Sequence, residues 1–303
     1  MSQKSLVQMP TPTGVQNNQT LTWMVNRGLT YHTILLNMGG NNVSSFGEVR
    51  VNINGQTRIK ALASEIDTMN QFDGLLGADA CGQLIINFDR IGLLSVGGRE
   101  MTAIDTGVVN KPMATGKMGI GVTSFNIEID VGTLSNLASI TLNGVTQPAG
   151  SNSGSTATTK LTGKALVSKS NNVGSGTIKL IDTQNRTTSV SGITEISDLF
   201  MRPNELYLNR FFVKLSGSGT PVLNRLTVRR NNYDLFDVEP LLSNMLHTNG
   251  VKSPQSGWYV FDTTYDGDGS NVIDLQKAQD MRLVLDVSSA ANIRIVKETI
   301  GVL

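Results

Sequence analysis

The sequence predicts an all-β protein of two tandem eight-stranded jelly-roll barrels, a double jelly roll, with short helices in the connections. Three observations predict it. Gly is abundant, with 31 among 303 residues, and Ser, Thr and Asn fill the segments between apolar runs. That mixture suits many strands joined by turns and does not suit helical bundles. Several apolar runs alternate with polar residues, as half-buried strands do. Finally, one strand–turn–helix unit occurs twice, which makes the chain two copies of one domain.

The first copy of that unit runs from Glu48 to Asp73. Val49, Val51 and Ile53 alternate, Asn54-Gly55 supplies the left-handed backbone of a tight hairpin turn, and Leu62, Ile66 and Met69 follow at helical spacing. The second copy runs from Asn224 to Gly250. There Leu226 and Val228 alternate, Asn231-Asn232 takes the turn, and Leu241, Leu242, Met245 and Leu246 are expected to form the inward face of a helix.

Taken in order, residues 1–20 read as a polar N-terminal arm, with Pro10 and Pro12 arguing against helix or central strand. Such an arm either clips onto a neighbouring subunit or stays disordered. The first barrel is expected over 21–147. Its strands are LTWMV and YHTILLNM between Leu21 and Met38, then the repeated unit, then Leu84 to Phe88. Gly92 to Gly121 reads as a glycine-studded insertion. Phe125 to Val131, FNIEIDV, alternates cleanly, and Ile140 to Leu142 closes the half.

Residues 148–160 are the lowest-complexity stretch and the expected linker. The second barrel is expected over 161–303, with strands at Ala165–Ser168, Thr177–Ile181, Ile193–Leu199 and Tyr207–Leu215. Trp258–Phe261 then stands where Leu84–Phe88 stood, and MRLVLDV, Met281 to Val287, where FNIEIDV stood. On that match Asp130 falls on Asp286, Val131 on Val287 and Asn136 on Asn292.

Composition bounds the partners. Lys and Arg number 25 against 24 Asp and Glu, leaving a formal charge of +1, so no global field draws the chain onto nucleic acid. The single cysteine, Cys81, forbids an intrachain disulfide and reads as a small core residue of a protein folded in a reducing cytosol. The first twenty residues lack the apolar core of a signal peptide, and no run approaches the roughly 20 apolar residues of a membrane span.

No catalytic, cofactor-binding or metal site is expected. The two histidines, His32 and His247, lie apart in the sequence and read as packing or surface residues. Gly116-Lys117 is followed by Met118 and Gly163-Lys164 by Ala165, so neither completes a P-loop. Ser95 lacks the glycine two residues upstream that a nucleophile elbow requires. Glu128 and Asp130 share a strand face but read as a polar sheet surface. Asp266, Asp268 and Ser270 have the spacing of the start of a calcium loop, yet no Glu closes it. A glycine-rich turn is the simpler reading, and a cation at a subunit interface the alternative.

TYHTILLN (Thr30–Asn37), VRVNINGQ (Val49–Gln56), TEISDL (Thr194–Leu199) and DMRLVLDV (Asp280–Val287), in that order, give the chain a family resemblance. It resembles the double jelly-roll major capsid proteins of membrane-containing icosahedral bacteriophages, the corticovirus coat protein above all and the tectivirus lineage more distantly. The Ser/Thr/Gly-rich segment Pro148–Gly176 and the insertion Gly92–Gly121 depart from the pattern. The resemblance implies a structural protein without catalysis. It implies a homotrimer whose six barrels form a pseudo-hexagonal capsomer, made in a bacterial cytoplasm and built into a virion shell. Neighbouring capsomers, a vertex (penton) protein and an internal membrane or its proteins are the implied partners. The lone basic residue of the arm, Lys4, argues against direct nucleic-acid binding. The rival reading is a β-sandwich spike or adhesin binding a host-surface glycan or receptor. It needs exposed aromatic platforms, whereas Trp23 and Trp258 both lie in or at the start of expected strands.

Overall fold

A computed structural model describes residues 3–107, 121–134, 140–142, 145–147, 161–170, 176–200, 204–248 and 250–303. The expected linker over 148–160 and the Asn136 match lie outside the described residues. The chain divides into two compact units. The first holds Met1–Ile91, Arg99–Lys179 and Leu303, the second Gly92–Gly98 and Leu180–Val302.

The first unit begins with β1 (Ser5–Gln8), β2 (Thr20–Met24), β3 (Leu29–Asn37), β4 (Phe46–Ile53) and β5 (Gln56–Leu62). Helices α1 (Ala63–Phe72) and α2 (Ala78–Cys81), strand β6 (Gln83–Asn87) and the short helix α3 (Val96–Glu100) come next. They are followed by β7 (Ile104–Asp105), β8 (Phe125–Val131), the small hairpin β9 (Ile140–Leu142) and β10 (Val145–Gln147), and β11 (Thr162–Lys169). Strands β1, β11, β3 and β6 lie side by side in that order, with β7 added on β3, and β5, β4, β8 and β2 form the second set.

Period-2 alternation explains which residues are inside. In β8, Phe125, Ile127, Ile129 and Val131 are buried while Asn126, Glu128 and Asp130 are half-exposed. In β4 the buried residues Val49, Val51 and Ile53 lie opposite them, Val51 against Ile127. Each such side chain contributes about 1.5–3 kcal/mol by leaving water. Trp23 of β2 lies over Gly163 of β11, where a Cβ would stand 2.7 Å from the indole, so the close approach of the two sheets requires glycine there.

The second unit repeats the plan. Its elements are β12 (Ile178–Thr188), β13 (Gly192–Ile196), β14 (Glu205–Ser216), β15 (Leu223–Arg230), β16 (Tyr233–Val238), α4 (Pro240–His247), β17 (Trp258–Asp262), β18 (Ile273–Asp274), β19 (Met281–Val287) and β20 (Ala291–Gly301). One set runs β12, β20, β14, β17 with β18 on β14, the other β13, β19, β15, β16. Strand for strand this is the order of the first unit, down to the short added strand. Two four-stranded sets joined in this order are a jelly roll, and the chain holds two. The second core lies between its sets, with Phe211, Val213, Leu226, Val228, Leu283, Leu285, Ile293 and Ile295 all buried.

The repeated hairpins match atom by atom. Asn54 (φ 53°) and Gly55 (φ 75°) turn the first, Asn231 (φ 50°) and Asn232 (φ 62°) the second. The Asn54 side-chain carbonyl accepts the Thr123 N–H at 2.7 Å, and that of Asn231 accepts the Gln279 N–H at 2.9 Å. Their own N–H groups donate to Ser124 and Asp280, the residues just ahead of β8 and β19.

Strand pairing departs from the expected partition at several points. Ser5–Gln8, expected within an N-terminal arm that clips onto a neighbour or stays disordered, pairs with β11 as the outer strand of its sheet. Thr162–Lys169, expected in the second half, pairs with β3 and closes the first unit, as β20 closes the second beside β14. Gly92–Gly98, expected within the first half's insertion, joins the second unit, where the Leu94 N–H donates to the Gly267 carbonyl. Cys81, expected in the core, is half-buried at the end of α2. The helix α4 is reversed: Ser243 and His247 are buried, and its leucines and methionine are exposed. For the two strands, for Gly92–Gly98 and for α4, a partner outside the local sequence decides the outcome.

Candidate functional site

The closest approach to a chemical constellation is a buried chain in the first unit. A β-bulge between Leu166 and Val167, opposite His32, breaks the regular pairing of β3 and β11. His32 thereby reaches Ser168 on β11, with Nε2 2.9 Å from the hydroxyl, while Nδ1 lies 3.0 Å from the Asp89 carboxylate beyond β6. With Asp89 accepting from Nδ1–H, Nε2 is left to accept from the Ser168 hydroxyl. The order Ser–His–Asp is that of a hydrolase triad.

Its surroundings are those of a core. Ser168, His32 and Asp89 are all buried, and Lys4 pairs with both Asp89 (3.2 Å) and Glu100 (2.9 Å). Burial pulls the Lys4 ammonium down, but Glu100 and Asp89 more than offset it and hold it above its ordinary value. Lys179 donates to the Asp89 carbonyl at 2.7 Å. The chain therefore ties strands β3 and β11 to the segment after β6 and to the start of β1. Sequence reading missed it because its members come from separated strands with no local spacing.

The second unit carries buried ion pairs. Lys252 lies 2.6 Å from Asp262, Arg210 3.0 Å from Glu298, and Lys297 2.7 Å from Glu205. Burial drives the Asp262 carboxyl upward, but Lys252, Arg210 and its hydrogen bonds outweigh that and leave it below the usual carboxylate range. His247 donates from Nδ1 to the Ser243 carbonyl at 2.7 Å and accepts the Asp262 N–H at Nε2 (3.2 Å). Burial holds its imidazole below the ordinary value. Removing one partner of such a pair would strand a buried charge.

Glu128, Asp130, Asp266 and Asp268, singled out in the sequence, are polar surface. Arg50 bridges Glu48 (2.9 Å), Glu128 (3.1 Å) and Asp130 (2.7 Å), so the two carboxylates of β8 share one guanidinium. That guanidinium holds the Asp130 carboxyl below its ordinary value. Asp266 accepts from the Asp268 N–H and the Asn271 amide, and Asp268 from the Ser270 N–H and hydroxyl. Both carboxylates are thus used within their own turn. Among the described residues no group of three His, Cys, Asp or Glu is placed to hold a metal ion, and no helix is long and apolar enough to cross a membrane. Trp23 is buried, and Trp258 packs edge-on to Phe212 with the Lys214 ammonium over its ring.

Two jelly rolls in tandem, each knit internally by buried polar ties, make a double jelly-roll protein. The chain belongs to the viral coat protein P2 family: the model of that family's N-terminal domain matches residues 6–147 and that of its C-terminal domain residues 178–303. It is a structural protein of the virion shell and not an enzyme. Among solved structures, it is similar to the major capsid protein P2 of bacteriophage PM2, with a TM-score of 0.77, 18% identity, and coverage of 99% of this chain and 98% of that one. The structure of Sulfolobus turreted icosahedral virus matches with a TM-score of 0.62 at 9% identity, covering 99% and 91%. The capsid of PBCV-1 virus matches with 0.58 at 11%, covering 99% and 94%. No curated protein matches the chain in sequence.

Proposed function

We propose that three copies of this chain form a pseudo-hexagonal capsomer, and that such capsomers tile an icosahedral shell around an internal membrane and genome. The internal repeat carries this reading. Each chain supplies two units with one strand order, so a threefold ring presents six similar edges to its neighbours. The two barrels that each chain brings to the capsomer are its two units, with their main border at Lys179–Leu180 in place of the 148–160 linker. Neighbouring capsomers, a vertex protein and the membrane or its proteins are the partners.

The net charge of +1 supports a shell whose inner face meets membrane components and not nucleic acid. A protein bound to the phosphate backbone gains its affinity from clustered Lys and Arg. Light scattering on the purified chain should give the mass of a trimer, and electron micrographs should show hexagonal capsomers. Tight DNA binding by those trimers at physiological salt would overturn the inner-face assignment.

A further inference from the structure

Helix α4 stands with its apolar side in solvent. Pro240–His247 reads PLLSNMLH, and Leu241 is 83% exposed, Met245 66%, Leu242 44% and Leu246 38%. The orientation is fixed. The Ser243 hydroxyl donates to the Val260 carbonyl at 2.8 Å, and His247 Nε2 accepts the Asp262 N–H. Rotating the helix to hide its leucines would strip both ties to β17.

The equivalent helix of the first unit shows how such a face is otherwise closed. α1 lies against β4, β6 and the short turn Val43–Ser45, and its Ile66, Met69 and Phe72 are buried. In the second unit the matching connection, residues 217–222 between β14 and β15, makes a tight turn without the 3-10 helix that Val43–Ser45 forms in the first. Among the described residues, the second unit lacks the cover that the first unit supplies for itself.

We propose that the exposed face of α4 is a contact between copies of this chain, covered in the assembled coat by a second copy. The proposal rests on the capsomer reading above. The four side chains expose on the order of 400 Å² of mostly apolar surface, the size at which a patch on a monomer marks an interaction site. That is about half of one partner's share of a standard interface, so the helix forms the centre of a larger contact. Charge selects the occupant. α4 carries no Lys, Arg, Asp or Glu, its cap is Glu239, and Asp234 and Asp237 of the strand before it are matched by Arg229 and Arg225 of β15, so the helix has no excess basic flank. Helices that lie on anionic lipid are flanked by Lys and Arg, so this face suits protein. In a closed ring the contact is heterologous, and α4 of one copy meets a different surface of the next.

Two experiments on the full-length chain test it. In the first, Met245→Cys in a Cys81→Ser background carries a benzophenone maleimide and is illuminated in the oligomer or shell, with phosphatidylglycerol–phosphatidylethanolamine vesicles present. Adducts of two copies of the chain are expected. Adducts only to lipid, only to another coat component, or none at all overturn the proposal. In the second, the double variant Leu241→Asp, Met245→Asp should melt as the wild type does, because both side chains are exposed, yet associate at least tenfold more weakly. Undiminished association by the folded variant also overturns it. A wild-type chain that scatters as a monomer or dimer counts against the trimer, and the two-copy adduct still decides the helix contact.

Discussion

His247 shows how a single side chain can set a pH limit on the fold. Its Nδ1 donates to Ser243 and its Nε2 accepts from Asp262, so both nitrogens are used by the neutral ring, and burial lowers its affinity for a proton. Unfolded, the ring titrates at about 6.5. Below that value the unfolded chain binds more protons than the folded one, so stability falls as pH falls through the unfolded value toward the folded one. The thermal midpoint of the wild type should therefore drop between pH 7.5 and pH 5.5, and His247→Gln should lose most of that drop. An equal drop in the variant would assign the effect to other groups. The sequence presented His247 only as a histidine at a helix end. That it faces inward depends on Val260 and Asp262, more than ten residues further along the chain.

The hairpin turns are where element and sequence agree best. Asn54 and Asn231 both sit at positive φ, and both carry a side-chain carbonyl that holds the amide two residues ahead of β8 or β19. Replacing either by Ala adds left-handed strain of about 1–2 kcal/mol and removes a hydrogen bond worth roughly 1 kcal/mol. Asn54→Ala and Asn231→Ala should each lower unfolding free energy by about 2–3 kcal/mol in denaturant titrations, and the Gly variants by less. Clearly unequal costs would argue that the two turns are not equivalent. Helix α4 is the contrary case. Its leucine spacing promised an inward face, but the tie of Ser243 to Val260 turned it outward. Strand β20 was hidden for a related reason. ANIRIVKETIG carries Lys297 and Glu298, charges that belong in a core only when Glu205 and Arg210 arrive from β14 to meet them.

For the whole molecule the repeat makes a symmetrical prediction. Val51 and Val228 are fully buried at matching places in β4 and β15. An Asp at either site buries a carboxylate without a partner, a cost beyond about 4 kcal/mol. Val51→Asp and Val228→Asp should each unfold their own barrel and abolish shell assembly, read by proteolysis and electron microscopy. Normal particles from either variant would refute the equivalence of the two units. The sequence by itself determined the β class, the doubled strand–turn–helix unit and the coat-protein resemblance, because alternation and turn chemistry are local and survive in a linear reading. Only the tertiary structure decided that Ser5–Gln8 and Thr162–Lys169 complete the first barrel, that β20 completes the second, and which way α4 faces. Those outcomes depend on backbone and charge partners outside the local sequence window, and a periodicity cannot name a partner.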